Sequence, residues 1–501
     1  MTRNVFLDPC WREADLGKPL PDSTHACSVC LPTWQSNIDY EEGVEAVVAK
    51  LEAGYPRFVI NPIVRELHQQ MLDMHGHPGE VRALAFCDPS AAARCAAFVE
   101  QETGRDDLVR IDGCSVFLAA DAVGAAVYYW RYAGDGISSR SAKVLMDGGV
   151  LSDYAADGES ARAEIRERIA AEYDGVAPDD VYLFPSGMAA IAGAHRVLQS
   201  LMPGGRFVQV DFPYVDALRV QRHFGARLSE FLHIDRDGAP SVAFGECFGN
   251  GDIAGVFVEC PSNPLLRCVD LAELAQEAGR RDIPVVVDDT VSSSRNVDVI
   301  GHADMVSTSL TKWWSGSGDV MAGSIVLNPR GKHYERLKRA MDAARLPELC
   351  APDALHLAPL TEGYAKRVAA ASDNAKALVE WLRDQPEVAR VWHPLTETAN
   401  HYEAIRRADG GWGALFSLTF HGGEESSARF FDALELNKGP SLGTNFTLVC
   451  PYVLLAHYDE LDWAAELGAP RDLVRVSVGC EPIDELIAKF ERALAAIHRA
   501  A

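Results

Sequence analysis

The chain has 501 residues, 48% hydrophobic and 24% charged, a globular balance that argues against extended disorder. Its net charge is −25 and it holds no run of Lys or Arg, so nucleic-acid backbones and anionic membrane surfaces are excluded as partners. At ~150 residues per domain about three domains are expected, and an acidic, soluble, multidomain enzyme is the default class.

The N-terminal residues lack the apolar run of a signal peptide. The most apolar stretch, 116–130, contains Asp121 and falls short of the ~18 apolar residues that a membrane span needs. Twelve cysteines in this length are ordinary usage, not a disulfide framework, and the cytosol is the expected compartment. Residues 1 to about 70 are irregular, rich in Pro, Cys and aromatics, and are expected to lie over another surface without building a core. Residues 75–150 alternate helical and strand-like pieces with no readable motif.

From about 158 the rhythm changes. Ile165, Ile169 and Tyr173 give one helix face, and short apolar runs follow at 181–184, 207–210, 256–258, 285–287, 305–306 and 325–327. Helical patterns at 188–201, 214–224 and 270–281 separate them. This alternation predicts an α/β fold with a mainly parallel sheet, in which ligands gather at the carboxyl ends of the strands. Beyond 355 come a long helical pattern, strands at 414–420 and 473–478, and a terminal helix with Ile483, Leu486, Ile487, Phe490, Leu494 and Ile497 on one face. The division expected is 1–157 as an N-terminal arm and extra region, 158–350 as a large domain, and 351–501 as a smaller α/β domain.

Polar residues at the strand ends carry the chemistry. The run 285–287 ends in Asp288-Asp289-Thr290, and the next in Ser307-Thr308-Ser309-Leu310-Thr311-Lys312 before a Gly-rich turn. A lysine at the mouth of an apolar sheet, flanked by hydroxyls, suits Schiff-base formation, because desolvation leaves its amine neutral. Ser309 and Thr311 would bind a cofactor phosphate, and Asp288 would hold a proton on a pyridine nitrogen. Ser186-Gly187-Met188 opens a helix whose N–H groups form an anion cradle. Tyr214 is placed to stack on the ring, Asn263 to reach its phenolic oxygen, and Arg475, inside an apolar strand, to bind an α-carboxylate with its planar fork.

In this order the motifs Ser186-Gly187-Met188, Tyr214, Pro261-Ser262-Asn263-Pro264, Asp288-Asp289-Thr290, Ser309-Leu310-Thr311-Lys312 and Ser441-Leu442-Gly443 with Arg475 resemble the Cys/Met-metabolism family. These are fold-type-I enzymes dependent on pyridoxal phosphate, with cystathionine γ-synthase and γ-lyase among them. Leu31-Pro32-Thr33-Trp34, Tyr40-Glu41-Glu42-Gly43, Gly54-Tyr55-Pro56-Arg57-Phe58 and Gly136-Ile137-Ser138-Ser139-Arg140 are similar to the long, fungal-type γ-synthases. The resemblance implies an aspartate-aminotransferase-like fold. It makes Lys312 the Schiff-base residue and proton shuttle, Asp288 the partner of the ring nitrogen, and Tyr214 the stacking ring. Gly187, Met188, Ser309 and Thr311 would hold the phosphate, and Arg475 with Ser441 the substrate. Tyr55 and Arg57 match an element that completes a neighbouring subunit's phosphate site, which implies a homodimer or homotetramer.

Departures fall at 291–294 and 313–323, beside the cofactor, where fungal-type enzymes carry other residues. The Ala/Arg/Asp/Gly richness suggests a high-GC bacterium, in which the long form is unexpected, and this points to recruitment into specialised metabolism. The reading preferred is γ-elimination from an L-α-amino acid, such as loss of HCl from 4-chloroallylglycine to give propargylglycine. The alternatives are cystathionine γ-synthase, joining an activated homoserine to cysteine, and a non-enzymatic relative. The last is disfavoured by the presence of Lys312, Asp288, Tyr214 and Arg475 together.

Other signals are set aside. Cys27-x-x-Cys30 with His25 lacks a second pair at ligand spacing, and His75-x-His77 reads as a loop pair, so no metal is expected. Gly316-x-Gly318 lacks dinucleotide-binding spacing. Trp313 and Trp314 read as packing residues, the cysteines as small core hydrophobes, and Lys438 as a surface residue beside a loop.

Overall fold

The computed structural model describes residues 3–55, 59–249 and 251–498. A seven-stranded sheet forms its centre, built from β1 (Val181–Phe184), β2 (Arg206–Val210), β3 (Ser229–Leu232), β4 (Ile253–Glu259), β5 (Val285–Asp288), β6 (Met305–Thr308) and β7 (Gly323–Leu327). The order is β1-β7-β6-β5-β4-β2-β3, parallel except where β7 runs antiparallel to both of its neighbours. The six apolar runs of the sequence are six of these strands. β3 was not expected, because Ser229-Glu230-Phe231-Leu232 is half exposed at the sheet edge and alternates too briefly to register.

A second, five-stranded sheet follows in the order 388–392, 415–420, 474–477, 448–450, 437–438, and the terminal helix Ile483–Ile497 packs beside it. The three segments 388–392, 437–438 and 448–450 escape sequence reading because each is very short or lies on an edge, where register and partner decide the structure more than pattern does.

Up to about residue 55 the arm is less irregular than expected, with helices Trp34–Glu41 and Glu45–Val48 and a short ladder of Pro19–Leu20 with Ser28–Val29. It lies over the second sheet, with Cys10 N–H donating to Asn437 Oδ1 (2.8 Å) and Leu31 N–H to the Lys438 carbonyl (3.1 Å). The arm's limit, however, falls earlier than 70. Helix Pro62–His75 is capped by Asn61, and its Val64 and Leu67 belong to a separate core. That core is shared with helices Pro89–Thr103 and Val123–Ala133 and a three-stranded antiparallel sheet (Glu80–Ala85, Val109–Asp112, Ser115–Ala119). Residues 62–146 thus form a compact unit with its own interior.

Lys438 corrects the sequence reading. It is fully buried, because the arm covers it, and its ammonium donates to the carbonyls of Pro32 (3.1 Å), Asp432 (3.1 Å) and Phe431. Burial pushes its pKa down to about 7, opposed by Asp432. Three carbonyls converge from two segments on one donor. Lys438→Met should therefore destabilise the fold by about 2–4 kcal/mol, the cost of leaving buried acceptors unpaired, and should loosen the arm. Denaturant unfolding and limited proteolysis within residues 3–55 would measure both effects.

Candidate active site

One cavity lies where the carboxyl ends of β1, β4, β5 and β6 face the second sheet. Lys312, Asp288, Asn263, Tyr214, Gly187, Met188, Ser309, Ser441, Arg475 and Tyr55 all line it. Ten of the twelve residues singled out from sequence therefore converge. Of the other two, Arg57 lies outside the described residues. Thr311 stands behind the wall, its hydroxyl bonded in both directions to the Ala322 backbone (3.3 and 3.0 Å).

Lys312 follows β6 after a tight turn, and Gly443 fixes it from behind. At Gly443, φ is +74°, and a Cβ would come within 2.7 Å of the Lys312 Cβ. The Lys312 amine donates to Ser441 Oγ (2.9 Å) and lies 4.8 Å from the centre of the Tyr55 ring. Burial lowers its pKa to about 8, with Arg475 adding to the shift and Cys27 opposing it. A buried amine that is partly neutral near pH 7 is a nucleophile and a proton carrier.

Asp288 ends β5 in register with Glu259 on β4 and Ser307 on β6. Its Oδ1 accepts the Thr290 N–H (2.9 Å), and burial raises its pKa. Behind it, Asp289 accepts from Thr308 Oγ1 (2.5 Å) and from the Tyr173 hydroxyl (2.9 Å), and burial raises its pKa to about 7. The second carboxylate of the pair is thus a structural anchor, while Asp288 faces the cavity.

The helix Gly187–Leu201 begins at the cavity mouth. Ser186 Oγ accepts the Ala189 N–H (3.1 Å), which leaves the Gly187 and Met188 N–H groups at the helix start without a partner among the described residues. A Cβ on Gly187 would sit 2.7 Å from the Ser309 Cβ and fill this corner. Among the described residues the buried Ser309 Oγ meets only the Tyr55 hydroxyl. Open N–H groups, an unspent hydroxyl and space that only glycine leaves are what a phosphate requires. Pyridoxal phosphate fits this donor set, with Gly187, Met188 and Ser309 toward its phosphate and Asp288 toward its ring nitrogen. Gly134 supports the corner from outside. Its φ is +70°, and a Cβ there would meet Ser186 Oγ at 2.5 Å and Met188 Cβ at 2.7 Å. Gly134→Ala should weaken cofactor affinity roughly tenfold or more by displacing this helix start, read by equilibrium dialysis against pyridoxal phosphate.

Arg475 sits in the middle strand of the second sheet, 2% exposed. It donates to Asn263 Oδ1 (3.2 Å) and to the carbonyls of Pro440 (2.6 Å) and Ser441 (3.0 Å), and its Cζ lies 4.4 Å from the Tyr452 ring centre. Asn263 donates onward to the Tyr452 hydroxyl (3.0 Å).

Sequence reading missed several of these residues. Cys27 lines the cavity, with its thiol pushed up to about 12 by burial, where its Cys-x-x-Cys spacing had drawn attention to metal instead. Glu259 accepts the Tyr214 N–H and is held well above the carboxylate range by burial and by the neighbouring Asp288. Its place at a strand end, like that of Asp288, was the available signal. Tyr452 follows Pro451 in a short helix and gave none. Tyr55, expected to serve a neighbouring subunit's phosphate site, also stands in this chain's own cavity beside Lys312.

A lysine, an aspartate and a phosphate cradle at the ends of a mainly parallel sheet define a pyridoxal-phosphate enzyme of the cystathionine γ-synthase/γ-lyase fold. The profile described as "Cys/Met metabolism PLP-dependent enzyme" matches residues 142–495, and the chain belongs to that family. The "Fungal trans-sulfuration enzyme, N-terminal domain" matches 63–138, the compact unit described above. Cystathionine gamma-synthase of Neurospora crassa is 31% identical, over 96% of this chain and 98% of its own length. The L-2-amino-4-chloropent-4-enoate dechlorinase/desaturase of Streptantibioticus cattleyicolor is also 31% identical, over 95% and 97%. The crystal structure of metB from Corynebacterium glutamicum superposes with a TM-score of 0.56 at 28% identity, covering 66% of this chain and 86% of that one.

Proposed function

We propose that the protein catalyses γ-elimination from an L-α-amino acid, with 4-chloroallylglycine as the preferred substrate and the alkynyl amino acid propargylglycine as product. The observation that carries this reading is the cavity's charge inventory. Among the described residues lining it, Lys312 and Arg475 are the only cations, and Val291, Leu442, Leu455, Ile191, Cys27 and Cys450 supply apolar and thiol surface. One guanidinium suits one α-carboxylate, and the apolar surface suits a chlorovinyl side chain. A synthase must also seat the carboxylate of an incoming cysteine. The likeness to the dechlorinase/desaturase over nearly the whole chain supports the same reading.

Bound pyridoxal phosphate supplies an electron sink that acidifies the α-hydrogen and, once that is lost, the β-hydrogen. Arg475 would hold the substrate carboxylate, and Asp288 would keep a proton at the ring nitrogen. The Lys312 Nζ, steadied by Ser441 Oγ, would carry protons between carbons of the substrate. In net balance the γ-carbon–chlorine bond breaks and its electron pair leaves as chloride, while one C–H bond of the terminal carbon gives up its proton to solvent and its electron pair becomes the second π bond of the alkyne.

A second reading, γ-replacement by cysteine, is favoured by the equally broad likeness to the Neurospora synthase. Incubation with 4-chloroallylglycine, and separately with O-acyl homoserines with and without cysteine, separates the two. Chloride release from the first with no cystathionine from the second is expected. Cystathionine formed at a rate exceeding chloride release would replace the elimination reading by the synthase one.

A further inference from the structure

A second cavity, of about 370 Å³, opens between the compact unit 62–146 and the helix Gly187–Leu201. It shares no lining residue with the catalytic cavity, which by the same measure holds about 100 Å³. One wall is the Pro89–Thr103 helix, with Arg94, Ala97 and Phe98, and the other is the far half of the cradle helix, with His195 and Arg196. Gly187 and His195 are eight residues apart on that helix, about 12 Å along its axis. Neither wall alone would make a cavity. It exists because the extra unit packs against the large domain.

The chemistry of the walls is uneven. In a chain of net charge −25, no carboxylate of the described residues lines this space, while two guanidinium groups do. Arg94 is committed to Asp135 (3.0 Å) and to the Arg345 carbonyl (3.2 Å), although its buried Nε has no partner among the described residues. Arg196 makes no hydrogen bond or ion pair with any described residue, so its charge is unspent. His195 is 3% exposed and its Nε2 has no partner among the described residues, a costly state for a buried polar atom unless something else meets it. Burial and the Arg196 charge push the His195 pKa down to about 3, so its ring is a neutral hydrogen-bonding group. Beneath the polar rim lies an aromatic floor in which Phe98 and Phe224 meet edge to face at 5.1 Å, with Tyr129 at 5.5 Å from Phe224. An unpaired guanidinium, an unsatisfied imidazole nitrogen and an aromatic floor in a cavity of ligand size are complementary to one kind of molecule.

We infer that this cavity is a second ligand site, separate from the catalytic one, for a small anion carried on an aromatic or heteroaromatic ring. The anionic group would pair with Arg196, the ring would rest on Phe98 and Phe224, and His195 would take the remaining hydrogen bond.

The test uses the holoenzyme, whose catalytic cavity is filled by cofactor, titrated with anilinonaphthalene sulfonate and followed by fluorescence. One saturable site per chain is expected. Arg196→Gln should weaken binding at least tenfold, and Ala97→Trp, a change at an exposed position on the rim, should remove the site. Arg339→Gln, an exposed arginine elsewhere, should leave binding unchanged. Cofactor absorbance and far-ultraviolet circular dichroism confirm that each variant is folded. Indole carboxylate should displace the probe from the wild-type protein and not from the residual sites of Arg196→Gln. Equal affinity in wild type, Arg196→Gln and Ala97→Trp would overturn the inference, as would binding that Arg339→Gln reduces as much as Arg196→Gln does.

Discussion

Lys312→Ala should lower turnover by at least about a thousandfold while leaving pyridoxal phosphate bound without a covalent link. The cradle formed by Gly187, Met188 and Ser309 does not involve this side chain, so phosphate affinity should survive. What is lost is the amine that bonds the cofactor and carries protons, and no other lysine lines the cavity among the described residues. The same amine sets a pH dependence. A lysine at its ordinary pKa is almost wholly protonated at pH 7, whereas one at about 8 is neutral in roughly a tenth of molecules. Since the neutral form attacks the aldehyde, covalent uptake of pyridoxal phosphate by cofactor-free protein should quicken as pH rises from 6 and level off above about 8. Stopped-flow absorbance would follow it. A rate still climbing tenfold per pH unit beyond 9 would show that burial does not lower this pKa. Arg475→Gln, which removes one contributor to the lowering, should move the midpoint upward.

The parts that could be read in advance share a physical cause. Strands β4 to β6 are buried on both faces, so they appear as short apolar runs, and the polar residues that end or follow them mark the mouth of the sheet. Asp288 at the end of β5, and Asn263 and Lys312 four residues beyond the ends of β4 and β6, are visible for that reason. The terminal helix is visible because Leu486, Phe490 and Leu494 repeat on one face against the second sheet. The arm resists this reading. Cys27 and Tyr55 reach the cavity from segments with no periodicity, and their place depends on how the arm drapes over the rest of the chain. Lys438 was misread for the same reason: Asn437-Lys438-Gly439-Pro440 has a loop's composition, and only the arm's carbonyls make it an interior site. Pattern reports the half-buried surface of a single element. It does not report what a distant segment lays on top.

Arg475→Lys should reduce kcat/KM on the order of a hundredfold or more, chiefly through KM, without altering cofactor content. The substitution keeps the charge and removes the fork. Three N–H groups of Arg475 are already spent on Asn263 Oδ1 and on the Pro440 and Ser441 carbonyls, an arrangement that holds the guanidinium over the Tyr452 ring. The guanidinium lines the cavity, and the Cys450 thiol, a further neighbour, is raised by burial and lowered by Arg475. A lysine ammonium has three donors in all and no plane, so satisfying the carbonyls would leave no directed pair for a carboxylate. The loss should fall on substrates in proportion to their dependence on the α-carboxylate. A decarboxylated analogue, poor with the parent protein, should lose little further. Steady-state kinetics on the acid and on its amide or decarboxylated counterpart measure this. If Arg475→Lys slowed both equally, the guanidinium would be a brace for the Ser441 loop and hence for the Lys312 amine it contacts. The carboxylate would then have to be held elsewhere.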